Sequence, residues 1–192
     1  MPAVKPAAPA PMIIRSHFSI FASPLKRGLI FALRDLLIIV LRQVGSGLKS
    51  RKRFEFLEHT ADAYVVAYGI TLEEAFENAA LATFEVMTDT SKIAQIVEDS
   101  VEVEAPDEQA LLYLWLEQFL IKFETKGNLY SGFKIAKIEK TEDGFKLKAR
   151  IRGEPYNPEK HPTKVGVKAV TYHRMEINKK PNKVSVKFIL DI

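Results

Sequence analysis

The 192-residue sequence contains no cysteine and only four histidines. The lack of cysteine excludes a disulfide scaffold, a thiol nucleophile and a thiolate zinc site, and four histidines leave little for a histidine-based metal cage. A glycine-rich phosphate loop and the G-x-S-x-G, H-E-x-x-H and G-x-G-x-x-G patterns are also absent from the sequence. The common enzyme signatures are therefore missing. Hydrophobic residues make up 47% and charged residues 27% of the chain, which predicts one globular domain with its own core.

Charge is distributed unevenly along the chain, whose formal net charge is +4. Residues 1–53 carry ten lysines and arginines and one acidic residue, Asp35, which is a net charge of +9. The remainder has 18 basic and 23 acidic residues, a net charge of −5. The sequence therefore predicts a basic leader followed by a mildly acidic body, and this body is not expected to bind nucleic acid with high affinity.

The leader, residues 1–50, is predicted to be a basic and partly disordered N-terminal extension. Residues 2–11 are rich in proline and alanine, and the apolar run 29–41 is interrupted by Arg34 and Asp35. These two charges disfavour a membrane span and a secretory signal, so we expect a cytoplasmic protein that is not inserted in a membrane. Two interpretations stay open: an amphipathic helix on a membrane surface or partner, and a gene start assigned too early.

Two helices are predicted in the body, residues 51–192. Thr71-Leu72-Glu73-Glu74 matches a capping box at the start of the first helix. The second helix is predicted to follow Pro106 and to end at Gly127. Its centre is apolar nearly all round and holds the only tryptophan, Trp115, which predicts a central core helix.

The rest of the body is rich in predicted strands. Glu142-Asp143-Gly144 predicts the turn of a hairpin, and residues 165–170 and 172–177 predict two further strands. The order is strand, strand, helix, strand, helix and then a run of strands. This order predicts the α+β class, with two helices covering one face of a mostly antiparallel or mixed sheet.

Two carboxylates are prominent by position. Asp62 lies in a polar turn next to a predicted strand, and Asp191 follows an apolar strand and precedes the last residue, Ile192. If these groups and the terminal carboxylate lie close together, they form an oxygen-only site suited to calcium, magnesium or manganese. The alternative is that Asp62 caps a turn and Asp191 faces solvent.

Two further residues are weaker candidates. His59 lies in the same polar turn as Asp62, where a histidine is more often a hydrogen-bonded turn residue than a ligand or a base. Lys168 lies in a predicted strand, where a lysine usually serves only solvation. Lys168 becomes a functional candidate if it shares a surface with the carboxylates.

Four blocks of the body together resemble the archease family. They are Glu58-His59-Thr60-Ala61-Asp62, the stretch from Gly69 to Phe76, the stretch from Val167 to His173, and the closing Leu190-Asp191-Ile192. The resemblance covers residues 51–192 in the order and spacing of the family. It implies an archease-like α+β domain over these residues, with no counterpart for residues 1–50.

The resemblance also implies a metal site and a function. The metal ligands are expected to be Asp62, Asp191 and Ile192, with calcium as the expected ion and magnesium or manganese as alternatives. Lys168 and His59 are the candidates for contact with a partner. The implied function is non-catalytic: activation of an RtcB-type tRNA-splicing RNA ligase, by promoting its guanylylation and multiple turnover and by broadening its choice of nucleotide.

Two rival functions stay open on the sequence. The chain could be a chaperone or modulator of other RNA-processing enzymes, such as tRNA methyltransferases, which would then be its partners in place of the ligase. It could also be a stand-alone metal-dependent hydrolase built on Asp62 and Asp191. The hydrolase is disfavoured because only His59 lies nearby as a general base.

Overall fold

The structure is a computed structural model that describes residues 52–58 and 62–192. The predictions for residues 1–50 and any role of His59 lie outside the described residues, and the domain boundary at residue 51 stays a prediction. No helix in the described part of the chain is long and apolar enough to cross a membrane. The elements are β1 (Phe54–Leu57), β2 (Asp62–Gly69), α1 (Leu72–Met87), a 3₁₀ turn (Thr90–Lys92), β3 (Val97–Ala105), α2 (Glu108–Lys126), β4 (Asn128–Lys140), β5 (Phe145–Pro155), β6 (Ala169–Lys180) and β7 (Lys183–Asp191).

The α+β class is confirmed, and the strands divide into two sheets where the sequence led us to expect one. The first sheet has the strand order β1-β2-β7-β6, and the second has the order β3-β5-β4. Every strand pair in the described residues is antiparallel. Pairing between β2 and β7 brings an early strand against the last one, so the first sheet is held together by contacts distant in sequence.

Helix ends follow the predicted local chemistry. The Thr71 hydroxyl accepts the Glu74 N–H at 3.2 Å, and the Glu74 carboxylate accepts the Ile70 N–H at 2.5 Å, so the capping box closes around the start of α1. The Asp107 carboxylate caps α2 by accepting the Ala110 N–H at 2.8 Å. Gly127 ends α2 with φ 66°, a left-handed conformation that glycine adopts without steric cost.

The two helices form a layer between the two sheets. Each helix contacts strands of both sheets, and within the described residues no strand of one sheet contacts a strand of the other. Trp115 is fully buried in this layer, and its Nε1–H donates to the main-chain oxygen of Phe76 at 3.0 Å. The prediction of a central core helix around Trp115 is confirmed, and covering from two sides explains why its apolar surface extends nearly all round.

The predicted strands 165–170 and 172–177 are wrong in their bounds. Residues 165–168, including Lys168, precede β6, and the single strand β6 begins at Ala169 and includes residues 172–177. Strand pairing with β7 is interrupted between Thr171 and Glu176, and Arg174 inside this irregularity has φ 54°. The interruption is a large bulge, because residues 172–175 stand against Phe188 alone and pairing resumes at Glu176–Lys187 with the register shifted by three residues. The sequence signal of a strand break at this position therefore reflects a bulge within one strand.

Candidate functional site: an acid pair on the first sheet

The pairing of β2 with β7 places Asp62 directly opposite Asp191. Residues directly opposite in an antiparallel pair point to the same face of the sheet, with Cβ atoms about 5 Å apart. We call Asp62 and Asp191 the acid pair. Their pairing depends on a register that runs without interruption from Gly69–Val184 to Asp62–Asp191, so seven preceding residue pairs determine the position of the two carboxylates.

The acid pair lies on the outer face of the first sheet. The neighbouring residues Ala63 and Leu190 pack into the core, and Leu190 is fully buried. Because side chains alternate along a strand, Asp62 and Asp191 point away from the helix layer. On the other side of β7, Asp191 is opposite Ala169 of β6, whose small side chain leaves space beside the carboxylate.

Lys168 reaches the same corner of the sheet. Its main-chain N–H donates to the main-chain oxygen of Asp191 at 2.8 Å, and its Nζ donates to the main-chain oxygen of Ile192 at 2.8 Å. Lys168 is exposed. It therefore shares a surface with the carboxylates, which was the condition for its candidacy.

The segment between β5 and β6 delivers Lys168 to this position through two anchors. His161 is fully buried and accepts the Asn157 N–H on Nδ1 at 3.0 Å, so its Nε2 carries the proton that is donated to Glu154, also at 3.0 Å. Lys164 then binds the end of α1, with Nζ at 2.6 Å from the Glu85 carboxylate. These contacts hold the segment against the core before it reaches the acid pair.

Glu154 is the charged centre of the first anchor. Burial raises the pKa of Glu154, but hydrogen bonds from the Lys160 ammonium, the Ala94 N–H and His161 outweigh this effect and lower the pKa to about 2. The carboxylate is therefore ionised at neutral pH. Sequence reasoning missed this cluster because its members come from three different segments of the chain.

The donor set of the acid pair fits a hard divalent cation only in part. Asp62, Asp191 and the main-chain oxygen of Ile192 supply oxygen ligands, the type that calcium, magnesium and manganese prefer. Residues 52–58 and 62–192 contain no group of three His, Cys, Asp or Glu side chains arranged to hold a metal. Six to eight ligands are usual for calcium, so water or a partner would have to complete the shell.

Sequence reasoning also missed a row of cations on the second sheet. Residues 146–152 read Lys-Leu-Lys-Ala-Arg-Ile-Arg, and Leu147, Ala149 and Ile151 are buried. The alternation places every cation of this stretch on the outer face of β5. This period of two with a cation at each outward position is a signal that could have identified the surface from the sequence.

Known proteins match this chain over most of the residues that the structure describes. The model of the Archease protein family (MTH1598/TM1083) matches residues 54–192. The chain belongs to the archease family. A protein archease of Sulfolobus acidocaldarius is 46% identical over 140 residues, which are 73% of this chain and 99% of that protein. A protein archease of Thermococcus kodakarensis is 49% identical over 131 residues, which are 68% of this chain and 92% of that protein.

A solved archease-family structure agrees with the fold. The solution structure of protein 1598 of Methanobacterium thermoautotrophicum is 46% identical to this chain and superposes with a TM-score of 0.65. The match covers 73% of this chain and 99% of that protein. The family assignment predicted from the four sequence blocks is therefore confirmed for this part of the chain.

Proposed function

We propose that the chain activates an RtcB-type RNA ligase and does not itself catalyse a reaction. The step that it promotes is guanylylation, in which a histidine nitrogen of the ligase attacks the α-phosphate of GTP. A P–N bond forms, the bond to the β-phosphate oxygen breaks and pyrophosphate leaves. The chain belongs to the archease family, and the resemblance to this family implies the ligase as the partner.

The observation that carries the proposal is the register that places Asp62 opposite Asp191 with Lys168 beside them. Two like charges opposite one another destabilise a sheet unless a cation is nearby. The acid pair with the Ile192 oxygen is therefore suited to hold a divalent cation, with calcium as the first candidate. Such a cation would neutralise part of the phosphate charge.

The residues of this corner have distinct proposed roles. Asp62 and Asp191 present their carboxylates on the outer face of the first sheet. There they would meet the nucleotide pocket of the ligase when the two proteins dock. The Lys168 ammonium holds the Ile192 oxygen in place and offers N–H donors to a phosphate or to an acidic group of the ligase. Together these groups would orient GTP phosphates for in-line attack, which lowers the barrier by positioning.

The test uses the RtcB-type ligase of the same organism with GTP, manganese and an excess of RNA ends. Ligated RNA and ligase-bound GMP are followed with and without sub-stoichiometric amounts of this protein. We expect a single-turnover burst to become sustained turnover. A burst that stays unchanged would contradict the proposal and would direct attention to the alternative of RNA methyltransferase modulation.

Variants locate the effect on the acid pair. Asp62→Asn and Asp191→Asn keep the side-chain size and remove the charge, so each should abolish sustained turnover while the melting temperature stays within a few degrees. Glu104→Gln on β3 is the matched control, because Glu104 is an exposed acid on the other sheet. Full activity of Asp62→Asn would exclude the acid pair from the mechanism.

A further inference from the structure

A groove lined by cations lies along the second sheet. The groove has a volume of about 690 Å³ and lies over β4 and β5. Within the described residues its lining contains no acidic side chain. We call it the basic groove, and its cations are Arg53, Lys134, Lys148, Arg150 and Arg152.

Acidic partners on or beside this face are found for Lys134, Lys146, Lys148 and Arg152. At the hairpin end, Lys146 pairs with Glu102 at 2.6 Å and also with Glu104. In the groove, Arg150 is opposite Ser100 on one side and Lys134 on the other. Among the described residues Arg150 has no hydrogen-bond or ion-pair partner, so the groove contains one uncompensated cation, which lies opposite Lys134.

The cations around Arg150 are held in place by single contacts. Arg152 donates Nε–H to Glu98 at 2.7 Å, and Arg53 donates Nε–H to the Asn78 amide oxygen at 2.7 Å. Lys134 lies 3.5 Å from the Glu77 carboxylate. A guanidinium has five N–H donors, so these contacts orient the arginines and leave donors for a ligand. Exposed ion pairs of this kind are weak, and a polyanion can compete with them.

From this arrangement we infer that the basic groove binds phosphate groups of an RNA backbone. Arginine presents a planar fork that matches phosphate oxygens, and alternate residues of a strand place successive cations about 7 Å apart in a row. Sequence-independent RNA binding depends on such charge contacts and weakens steeply with salt. The contact is weak, in agreement with the net charge of −5 outside residues 1–53.

An acidic protein fits the groove less well than RNA. Stable protein interfaces depend on buried aromatic or aliphatic anchors at their centre. The groove lining offers one large apolar side chain, Phe133, which is half-buried and packs on Phe84 within the core. The chemistry of the groove is therefore that of a phosphate-binding surface.

The inference goes beyond the proposed function and does not depend on the acid pair. The acid pair belongs to the first sheet, and the basic groove belongs to the second. If ligase activation fails in the assay above while RNA binding by the groove is found, the proposed function alone is overturned. If activation is found and the groove does not bind RNA, this inference alone is overturned.

The experiment measures binding of the full 192-residue chain to a labelled single-stranded oligouridylate by fluorescence anisotropy at several salt concentrations. Residues 1–53 carry a net charge of +9 and can bind RNA themselves, so the design compares variants of equal net charge. Arg150→Glu reverses one charge in the groove. Lys180→Glu reverses one charge on exposed β6 of the other sheet, where Lys180 is opposite Lys183.

We expect Arg150→Glu to weaken RNA binding about tenfold and to reduce the slope of log affinity against log salt by about 0.7 for each phosphate that the variant no longer binds. Lys180→Glu should weaken binding less than about twofold, since it changes only the long-range field. Arg150→Gln removes the charge without reversing it and should fall between the wild type and Arg150→Glu. Melting temperatures should be unchanged, because Arg150 is exposed and makes no contact that the variants break.

Two results would overturn the inference. An equal loss for Arg150→Glu and Lys180→Glu would mean that RNA binds elsewhere, for example on residues 1–53. Polyglutamate that competes with oligouridylate as well as unlabelled RNA does, at equal charge concentration, would indicate an acidic protein as the ligand. A groove-dependent loss with weak competition by polyglutamate supports RNA.

Discussion

The β3–β5 and β2–β7 strand pairings use cross-strand charge pairs in opposite ways. In the second sheet, the acids of β3 face the cations of β5, as in Glu98–Arg152 and Glu104–Lys146. In the first sheet, the register of β2 and β7 places two acids, Asp62 and Asp191, directly opposite one another. Opposite charges in such positions stabilise a sheet and like charges destabilise it.

This difference agrees with the two binding surfaces that we propose. Opposite charges that face one another on neighbouring strands neutralise each other without a ligand. A pair of like charges is stabilised by a ligand of the opposite charge. The ligand that we propose for the acid pair is a cation. The pair Lys134–Arg150 fits an anion, because Arg150 has no carboxylate partner among the described residues and Lys134 has only a long contact with Glu77.

The largest effect on stability is expected from a substitution in the helix layer, because both sheets pack on it. Trp115→Ala should lower the free energy of unfolding by about 3–5 kcal/mol, because it leaves a large cavity and removes the hydrogen bond to the Phe76 oxygen. Since both sheets pack on this layer, amides of β5 and β7 should become less protected from hydrogen exchange together. Chemical denaturation and hydrogen exchange measure both effects.

Faster exchange in one sheet only would show that the sheets unfold independently. Glu124→Ala, on the exposed side of α2, is the control and should change stability by less than about 0.5 kcal/mol.

The second-largest effect is expected from calcium, which should stabilise the chain through the first sheet and not through the second. The wild-type chain should gain about 2.7 kcal/mol of stability when free calcium is roughly a hundred times its Kd, because only the folded chain holds the acid pair together. Asp62→Asn should gain almost nothing, while Glu104→Gln on the second sheet should respond as the wild type does. Thermal melting with and without calcium checks this, and an equal response of all three proteins would place the calcium elsewhere.

Acid should weaken the contribution of the Glu154 carboxylate to stability. The folded pKa of Glu154 is lowered to about 2, below its ordinary value, so its contribution to stability is complete above about pH 4.5. This contribution is lost as the pH falls from about 4.5 towards 2, because the unfolded chain binds the proton first. Glu154→Gln should therefore be less stable than the wild type at pH 7, and the difference should shrink across this interval.

The measurement is the free energy of unfolding as a function of pH for both proteins. Parallel curves between about pH 5 and 2 would contradict the assigned contacts of Lys160 and His161 with Glu154.

The smallest expected effect tests the rule that opposite charges on neighbouring strands stabilise a sheet and like charges destabilise it. In the presence of a chelator, Asp191→Asn should raise stability by up to about 1 kcal/mol, because it removes a like-charge pair. Glu98→Gln should lower stability by up to about 1 kcal/mol, because it removes the partner of Arg152. The same chemical change should thus have opposite signs in the two sheets, as measured by chemical denaturation. Equal signs would mean that local contacts other than charge determine stability at these positions.

Much of the local structure was predictable from the sequence. The capping box from Thr71 to Glu74, the helix end at Gly127 and the hairpin turn at Gly144 are all found, because each depends on residues within a few positions. The acids Asp62 and Asp191 were also chosen as candidates from the sequence, since one precedes and the other follows an apolar strand, and their role stays a prediction. What was not predictable is which strands pair.

The basic groove was also only partly predictable from the sequence. The alternation from Lys146 to Arg152 specifies that the cations share one face of a strand. It does not specify that β3 supplies acids to Lys146 and Arg152 while Ser100 and Lys134 flank Arg150. Charge compensation depends on the neighbouring strands, which a one-dimensional pattern does not name.

The sequence by itself determined the helices, the turns, the alternation of the strands and the family to which the chain belongs. These features depend on local backbone chemistry or on residue blocks read along the chain. Only the tertiary structure decided that the strands form two sheets around a helix layer, that Asp62 lies opposite Asp191 with Lys168 beside them, and that Arg150 is left without a partner in the described residues. The physical reason is that hydrogen-bonded register between distant strands sets which side chains meet, and that register is a property of the folded chain.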